Sequence, residues 1–541
     1  MKKKTTEKQS LKNESIFDVK YSETAFETRY SKYFWLIIPV LTILYYSYRN
    51  IAVGFYQDDE VAQYINMLQF WHDPWAILGN GPKPGYKIFM VIPALFSYDA
   101  VMIFNSFIAA STVYLTYLLI KSYKVGYAFT GALLLATQPL FVDLSFRSYS
   151  EIFTALCLVV FLILYNKEKF FLSALLLGYI YLVRQEIALL IIIIGVIFIR
   201  KKLYKETAAL IIFPIIYNIL GFIKTGDPMF VVTEMRSVAG LNYQSQGLFH
   251  YIKVYIFIVG PVCLTLFLLG FFGFLNNTSK IKEYFSKYFL FYVIFISVFI
   301  IQMLTMINSG PNPGNWRYLL HISPLCAFFA AVGFNNLSLK SFRNTHFLVT
   351  GVFAVLVLLF LSYATDGFRL LEKTDHVKFG FIAAVFLLSI IIPLRSRTSY
   401  MSIFSVLVVI LAAAHLYFVE PKKLSPENIS IKETADFIDS LPDINNKLKL
   451  TNHIFMQFYS SSYKDNPVLY KNLNSKSIIE APRGSLVIWD SHYGYRPEFK
   501  GYDNMPYDVQ FENIKNNDGF KLLRQFVSAD KRFYTFIFEK Q

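Results

Sequence analysis

The chain has 541 residues, of which 55% are hydrophobic and only 16% charged, and its mean hydropathy is +0.41. No soluble core of this length absorbs so much apolar residue, so the composition excludes an ordinary soluble protein and points to a polytopic membrane protein. The formal net charge of +15 fits basic loops on a cytoplasmic face, and no nucleic-acid partner is expected.

Residues 1–32 are polar and lysine-rich and read as a cytoplasmic tail. The first apolar run starts near Tyr33 and has the length of a full span. No small-residue cleavage site follows it, so a retained helix is expected rather than a signal peptide. Directly after it comes Phe55-Tyr-Gln-Asp-Asp-Glu-Val-Ala-Gln-Tyr64, with three consecutive carboxylates, Asp58, Asp59 and Glu60, and with Tyr64 as a supporting residue. One Asp there would most simply cap the amphipathic helix suggested by 61–71. Three acids where a chain has just left a membrane are costly, and that favours a chemical role. Gly79-Asn-Gly-Pro-Lys-Pro-Gly-Tyr-Lys87 is a turn-rich loop whose Lys83 and Lys87 can reach a phosphate at the membrane surface.

Apolar runs follow one another at 33–53, 100–120, 126–142, 150–165, 170–183, 187–199, 206–223, 251–275, 288–307, 317–337, 345–363, 377–394 and 400–419, about thirteen spans. The pair at 170–183 and 187–199 requires Arg184 and Glu186 to sit at a tight turn or helix break. With the amino terminus inside, the short loops at 121–124, 167–169, 200–205, 280–287, 340–343 and 395–397 are basic, while the alternate loops are longer and mixed in charge. The carboxyl terminus then lies outside. The three cysteines, Cys157, Cys263 and Cys326, all fall inside apolar runs, so neither a disulfide framework nor a zinc site is implied.

After Glu420-Pro421 the composition turns polar. Residues 421–541 read as a small extracytoplasmic α/β domain with strands near 447–451, 485–489 and 533–538. Ser430-Ile-Lys-Glu433 has the capping-box pattern for a helix through Leu441. The expected architecture is an α-helical polytopic membrane protein: a tail (1–32), a transmembrane domain (33–420) with first outer loop 54–99, and the domain at 421–541. Asp490-Ser491-His492 follows a strand and has the composition of a hydrolytic trio, but three adjacent residues do not normally form a triad.

In this orientation the outer face collects acids and arginines at span ends: Asp58, Asp59 and Glu60; Arg147 and Glu151; Arg184 and Glu186; and Arg317, with His321 one turn beyond it. Arg147 and Glu151 have the i,i+4 spacing of a mutually neutralising pair. Transfer of a sugar from a lipid-linked phosphate requires such a set. A carboxylate takes the proton of the attacking hydroxyl, and arginines hold the phosphate through a planar fork that cannot lose its proton. A lipid-bound donor stays at the membrane surface, consistent with the lack of a nucleotide-sugar domain or a glycine-rich phosphate loop.

These motifs resemble the GT-C class of polyprenyl-phosphate-sugar-dependent glycosyltransferases. Gln57-Asp-Asp-Glu60 resembles the Asp-Glu motif of the protein O-mannosyltransferases and of the GPI- and dolichol-pathway mannosyltransferases. That resemblance implies a catalytic base at Asp59 with Glu60 beside it, Asp58 being the alternative. Lys83-Pro84-Gly-Tyr86 is similar to the Lys-Pro segment of the bacterial lipid A sugar transferases, with Gly85 where those carry a second proline. Asn315-Trp-Arg-Tyr-Leu-Leu-His-Ile-Ser-Pro324 resembles the Arg-Tyr/Phe-Leu…Pro segment of the mannosyltransferases, with Arg317 as the matching cation. The tail resembles the outer α/β domain that many bacterial members carry. No segment matches the tryptophan–aspartate motif of the oligosaccharyltransferases.

The resemblance implies transfer of a mannose-like hexose from a polyprenyl-phosphate donor to a glycan or lipid acceptor, with Arg147, Arg184, Arg317 and Lys83 on the phosphate and Glu151, Glu186, Tyr64 and His321 in support. No metal-ligand set accompanies the base, so no cofactor is expected; a divalent cation on Asp58 and Asp59 is the less favoured alternative. The rival readings are an O-antigen-type polymerase or ligase, which would centre on a large loop, and a transporter, which the absence of an inverted repeat disfavours.

Overall fold

The computed structural model describes residues 25–55, 58–239, 243–307, 310–337, 348, 350–352, 354–355, 380–382, 384–385, 398–418, 421–497 and 507–541. Tyr56, Gln57, most of the tail, and most of the expected spans at 345–363 and 377–394 with the basic loops at 340–343 and 395–397 lie outside that set. The chain divides into two compact units, Met1–Arg49 with Phe70–Glu420, and Asn50–Gln69 with Pro421–Gln541.

The first unit is helical, and the protein is an integral membrane protein. Among the described residues Tyr98–Ser122, Tyr204–Thr225 and Trp316–Leu337 are each long and apolar enough to cross a membrane. Shorter apolar helices occupy Pro84–Phe96, Ser150–Asn166 and Phe170–Ile180. Two expected spans are broken. The run at 251–275 becomes His250–Val259 and Pro261–Phe271, bent by 115°. Gly260 there has φ +79°, in a region open to glycine, and Pro261 has no N–H with which to continue the first helix. The run at 126–142 likewise becomes Ala128–Ala136 and Pro139–Leu144, interrupted ahead of Pro139. The expected break at Arg184 is present: Arg184 is extended between Phe170–Ile180 and Ala188–Arg200.

The second unit is built on a five-stranded sheet, β1 (Lys449–Leu450), β2 (Tyr470–Lys471), β3 (Leu486–Asp490), β4 (Phe520–Val527) and β5 (Tyr534–Lys540), in the order β2-β1-β3-β5-β4. β1 runs parallel to β2 and β3, while β5 is antiparallel to β3 and β4. The opening helix is Pro426–Asp439, which starts ahead of the expected capping box. Its cap is Ser425, whose Oγ accepts the Asn428 N–H at 3.1 Å, and Pro426 at the first helical position is pre-set for the turn. Ser430 is buried within that helix.

Sequence reading attaches 54–99 to the membrane domain as a loop, whereas by contacts residues 50–69 fold with 421–541. The physical cause is apolar burial. Phe55 and Val61 enter a core with Ile431, Ile438, Phe455 and Ile488, and the Val53 N–H donates to the Lys422 carbonyl at 2.7 Å. Tyr64 is buried too, its ring 5.9 Å from that of Phe458.

Candidate functional site

In the membrane unit, buried charge gathers around one carboxylate. Glu151 lies in the first turn of the helix Ser150–Asn166 and is completely buried. The Arg184 guanidinium donates to it at 2.7 Å and that of Arg317 at 3.2 Å. Arg184 also grips Glu186, with Nε donating at 2.7 Å. The guanidiniums lie against aromatic faces: Arg184 is 5.2 Å from the Tyr318 ring centre and Arg317 4.5 Å from that of Tyr149. His321 is fully buried, and neither ring nitrogen has a hydrogen-bond partner among the described residues.

This cluster borders a cavity of about 330 Å³ lined by, among others, Gly79, Lys83, Arg184, Glu186, Asn312 and Tyr318. Lys83 reaches it from the end of the turn-rich loop. The Lys83 backbone is left-handed (φ +58°) and immediately precedes the helix Pro84–Phe96. Gly85 makes that placement feasible. The Gly85 N–H donates to the Leu182 carbonyl at 3.0 Å, and the Gly85 carbonyl accepts from the Tyr179 hydroxyl. A Cβ on Gly85 would lie 2.8 Å from the side chains of Leu182 and Val183. The missing side chain therefore lets the Lys83 loop dock on the turn that carries Arg184. Asn312, also in the lining, accepts from the Tyr251 hydroxyl at 3.0 Å and donates to Gln302 Oε1 at 2.8 Å. Sequence reasoning missed Asn312 and Gln302, for which the signal was the turn-forming run Gly310-Pro-Asn-Pro-Gly314, whereas Tyr318 lies in the Arg-Tyr motif already singled out.

Arg147 is placed differently. It is fully buried, forms an ion pair with Asp143 at 2.6 Å, and is not among the residues lining the cavity. The expected helical pairing with Glu151 does not arise, because Tyr149 is extended and separates Arg147 from the helix that Ser150 opens.

The acidic run belongs to the second unit, in the first turn of the helix Asp58–Gln69. The three acids have unequal surroundings. Asp58 accepts from the Tyr493 hydroxyl, Asp59 is exposed, and Glu60 is completely buried. Nearby in chain topology, His492 is not part of a hydrolytic trio with its neighbours. Its Nδ1 is 2.7 Å from Glu427 Oε1, which also lies 3.0 Å from His453 Nε2. Burial raises the Glu427 carboxyl, but the two imidazoles outweigh it and hold the group at about 2. The same bond holds the proton on His492, above its ordinary value. Burial pushes Asp490 up.

Over nearly its full length the chain is similar to ArnT from Cupriavidus metallidurans. The structure of that protein bound to undecaprenyl phosphate matches with a TM-score of 0.55 at 10% identity, covering 93% of this chain and 97% of that one. Its apo structure matches with a TM-score of 0.57 at 9% identity, covering 94% and 98%. No protein-family model matches the sequence, and no curated protein matches it. At such identity the shared property is the fold.

Proposed function

We propose that this chain is a membrane glycosyltransferase that moves a sugar from a polyprenyl-phosphate carrier to a glycan or lipid acceptor. The observation that carries the reading is the cavity in the membrane unit with Lys83 and Arg184 on its wall and Arg317 tied to the same carboxylate. Lys83, Arg184 and Arg317 face Glu151 and Glu186, which leaves one positive charge in excess for a phosphate. The likeness to a protein whose structure holds undecaprenyl phosphate supports a polyisoprenoid donor.

In this reaction the acceptor oxygen bonds to the anomeric carbon as the carbon–oxygen bond to phosphate breaks, inverting the centre. The phosphate passes from a singly charged diester to a more highly charged monoester. Preset cations are therefore worth more in the transition state than in the ground state. Arg184 is gripped by two carboxylates, so its role is to hold the cation array, with Lys83 and Arg317 meeting the growing charge. On the resemblance of Asp59-Glu60 to the first-loop motif, Asp59 is the base for the acceptor proton, and Asp58, which accepts from the Tyr493 hydroxyl, is the alternative. Arg147 acts through the packing of its segment. The sugar is a mannose-like hexose, on the resemblance of Asp59-Glu60 and Arg317-Tyr318-Leu319 to mannosyltransferase motifs, and the carboxyl-terminal unit faces outward, on the loop charges.

The test is purified protein with a panel of radiolabelled polyprenyl-phosphate sugars, scored for donor consumption. Asp59→Asn is expected to abolish transfer at unchanged protein amount; near-normal turnover would remove Asp59 from the mechanism. Arg317→Ala is expected to raise KM for the donor more than for the acceptor, and the reverse pattern would remove it from the phosphate site.

A further inference from the structure

Glu427, His453 and His492 are distant in sequence, yet one potential ligand atom from each lies within 4.8 Å of the others. Their placement follows from the sheet. His453 follows β1 and His492 follows β3, two adjacent parallel strands. The chain leaves β1 for β2 on one side and leaves β3 for the β4–β5 pair on the other. The two following loops therefore diverge, and the crevice beyond the carboxyl ends of such strands is where open α/β sheets take ligands. Asn452 stitches the crevice together, donating to the carbonyls of Leu473 and Tyr493 at 2.9 and 3.0 Å. Glu427 arrives from the first turn of the helix Pro426–Asp439.

We propose that Glu427, His453 and His492 form a site for one divalent metal ion of the Zn²⁺ class. Two imidazoles and a carboxylate suit late first-row divalent ions, and three protein ligands leave a coordination position open. The anchor is His453, only 1% exposed, while Glu427 (30%) and His492 (41%) keep an entry path. Tetrahedral zinc places its ligand atoms roughly 3.3 Å apart. The 3.0 and 2.7 Å separations to Glu427 therefore open by about 0.3 and 0.6 Å, and the two imidazole nitrogens, within 4.8 Å of each other, draw together by a shift of the partly exposed His492. A second observation points to a cation. Asp490 is completely buried beside the site; its Oδ1 accepts the backbone N–H groups of His492 and Tyr493, and its Oδ2 has no hydrogen-bond partner among the described residues. The site is also mechanically connected. The His492 ring stacks on Tyr493 at 4.0 Å, and the Tyr493 hydroxyl holds Asp58 in the helix Asp58–Gln69.

The experiment uses tag-free, full-length protein in detergent, stripped with chelator and dialysed against Zn²⁺ alone. One equivalent of zinc per chain is expected, together with a rise in melting temperature. Zinc affinity is expected to fall at least tenfold in both His492→Ala and Glu427→Gln, each of which alters a partly exposed side chain. Wild-type protein that retains no zinc, or unchanged affinity in either variant, overturns the proposal in favour of a metal-free hydrogen-bonded cluster. Zinc K-edge absorption of the wild-type chain needs no variant: two imidazoles in the first shell support the site, and fewer overturn it.

Discussion

One titratable cluster in each unit shows two ways of holding charge. In the membrane unit Glu151, Arg184 and Arg317 are almost wholly buried and paired at 2.7 and 3.2 Å. In the sheet unit Glu427, His492 and Asp439 are partly exposed and held by hydrogen bonds to neutral or titratable groups. Without water, a charge is tolerated only with its partner in place, so the membrane cluster is fixed before any substrate arrives. With water nearby, the sheet unit can let its groups gain and lose protons. Preorganisation belongs to the Glu151 cluster and adjustability to Glu427, His492 and Asp439, while Glu60 and Asp490 of the sheet unit are as buried as the membrane cluster.

The largest effects should come from unpairing the buried cluster. Glu151→Gln leaves two buried guanidiniums short of a carboxylate and is expected to cost about 3–5 kcal/mol of stability. Glu427→Gln is expected to cost about 1 kcal/mol. Thermal unfolding in one detergent reads both, and equal losses would dissolve the contrast. Lys83→Ala should leave the fold intact and lower transfer by roughly 10²–10³, as loss of one preset cation does; radiolabelled donor turnover measures it.

Gly85→Ala sharpens the comparison at the level of packing. The new Cβ meets Leu182 and Val183 at 2.8 Å and the Leu182 backbone carbon at 2.9 Å. Backbone must move, at about 1–3 kcal/mol, and the Lys83 loop moves with it. Turnover is expected to drop while donor-independent properties such as detergent extraction stay unchanged.

The smallest expected effect is in the sheet unit. Burial raises the Asp439 carboxyl, but hydrogen bonds from Ser460 (2.7 Å) and from the Ser461 N–H (2.6 Å) lower it further, for a net depression below 3.8. A depressed folded value means that its stabilisation is complete above the ordinary value and is lost as pH falls through the folded one. Melting temperature of the wild type should therefore decline below about pH 4 more than that of Asp439→Asn, and the variant should lose about 1 kcal/mol at neutral pH. Parallel acid profiles would remove Asp439 from the account.

Sequence alone located the helices that length and apolarity define: 100–120 became Tyr98–Ser122 and 150–165 became Ser150–Asn166. It also located the break at Arg184, because a charged pair between apolar runs has few other solutions. It did not foresee β2 or β4, since a two-residue strand and one with alternation as weak as that of Phe520–Val527 leave little pattern to read. It expected Arg147 beside Glu151 because spacing presumes a continuous helix, and Tyr149 breaks that presumption.

What the residues determined by themselves was membrane residence, the chemical kinds of group available, and their nearness to segment ends, all of which depend on local composition. Only the tertiary structure decided that Glu151 would take Arg184 and Arg317 as partners, 33 and 166 positions away. It also decided that His453 and His492 would meet across Glu427. Such pairings depend on how helices and strands are set against one another, and that alignment is fixed by packing of the whole unit rather than by any stretch of chain.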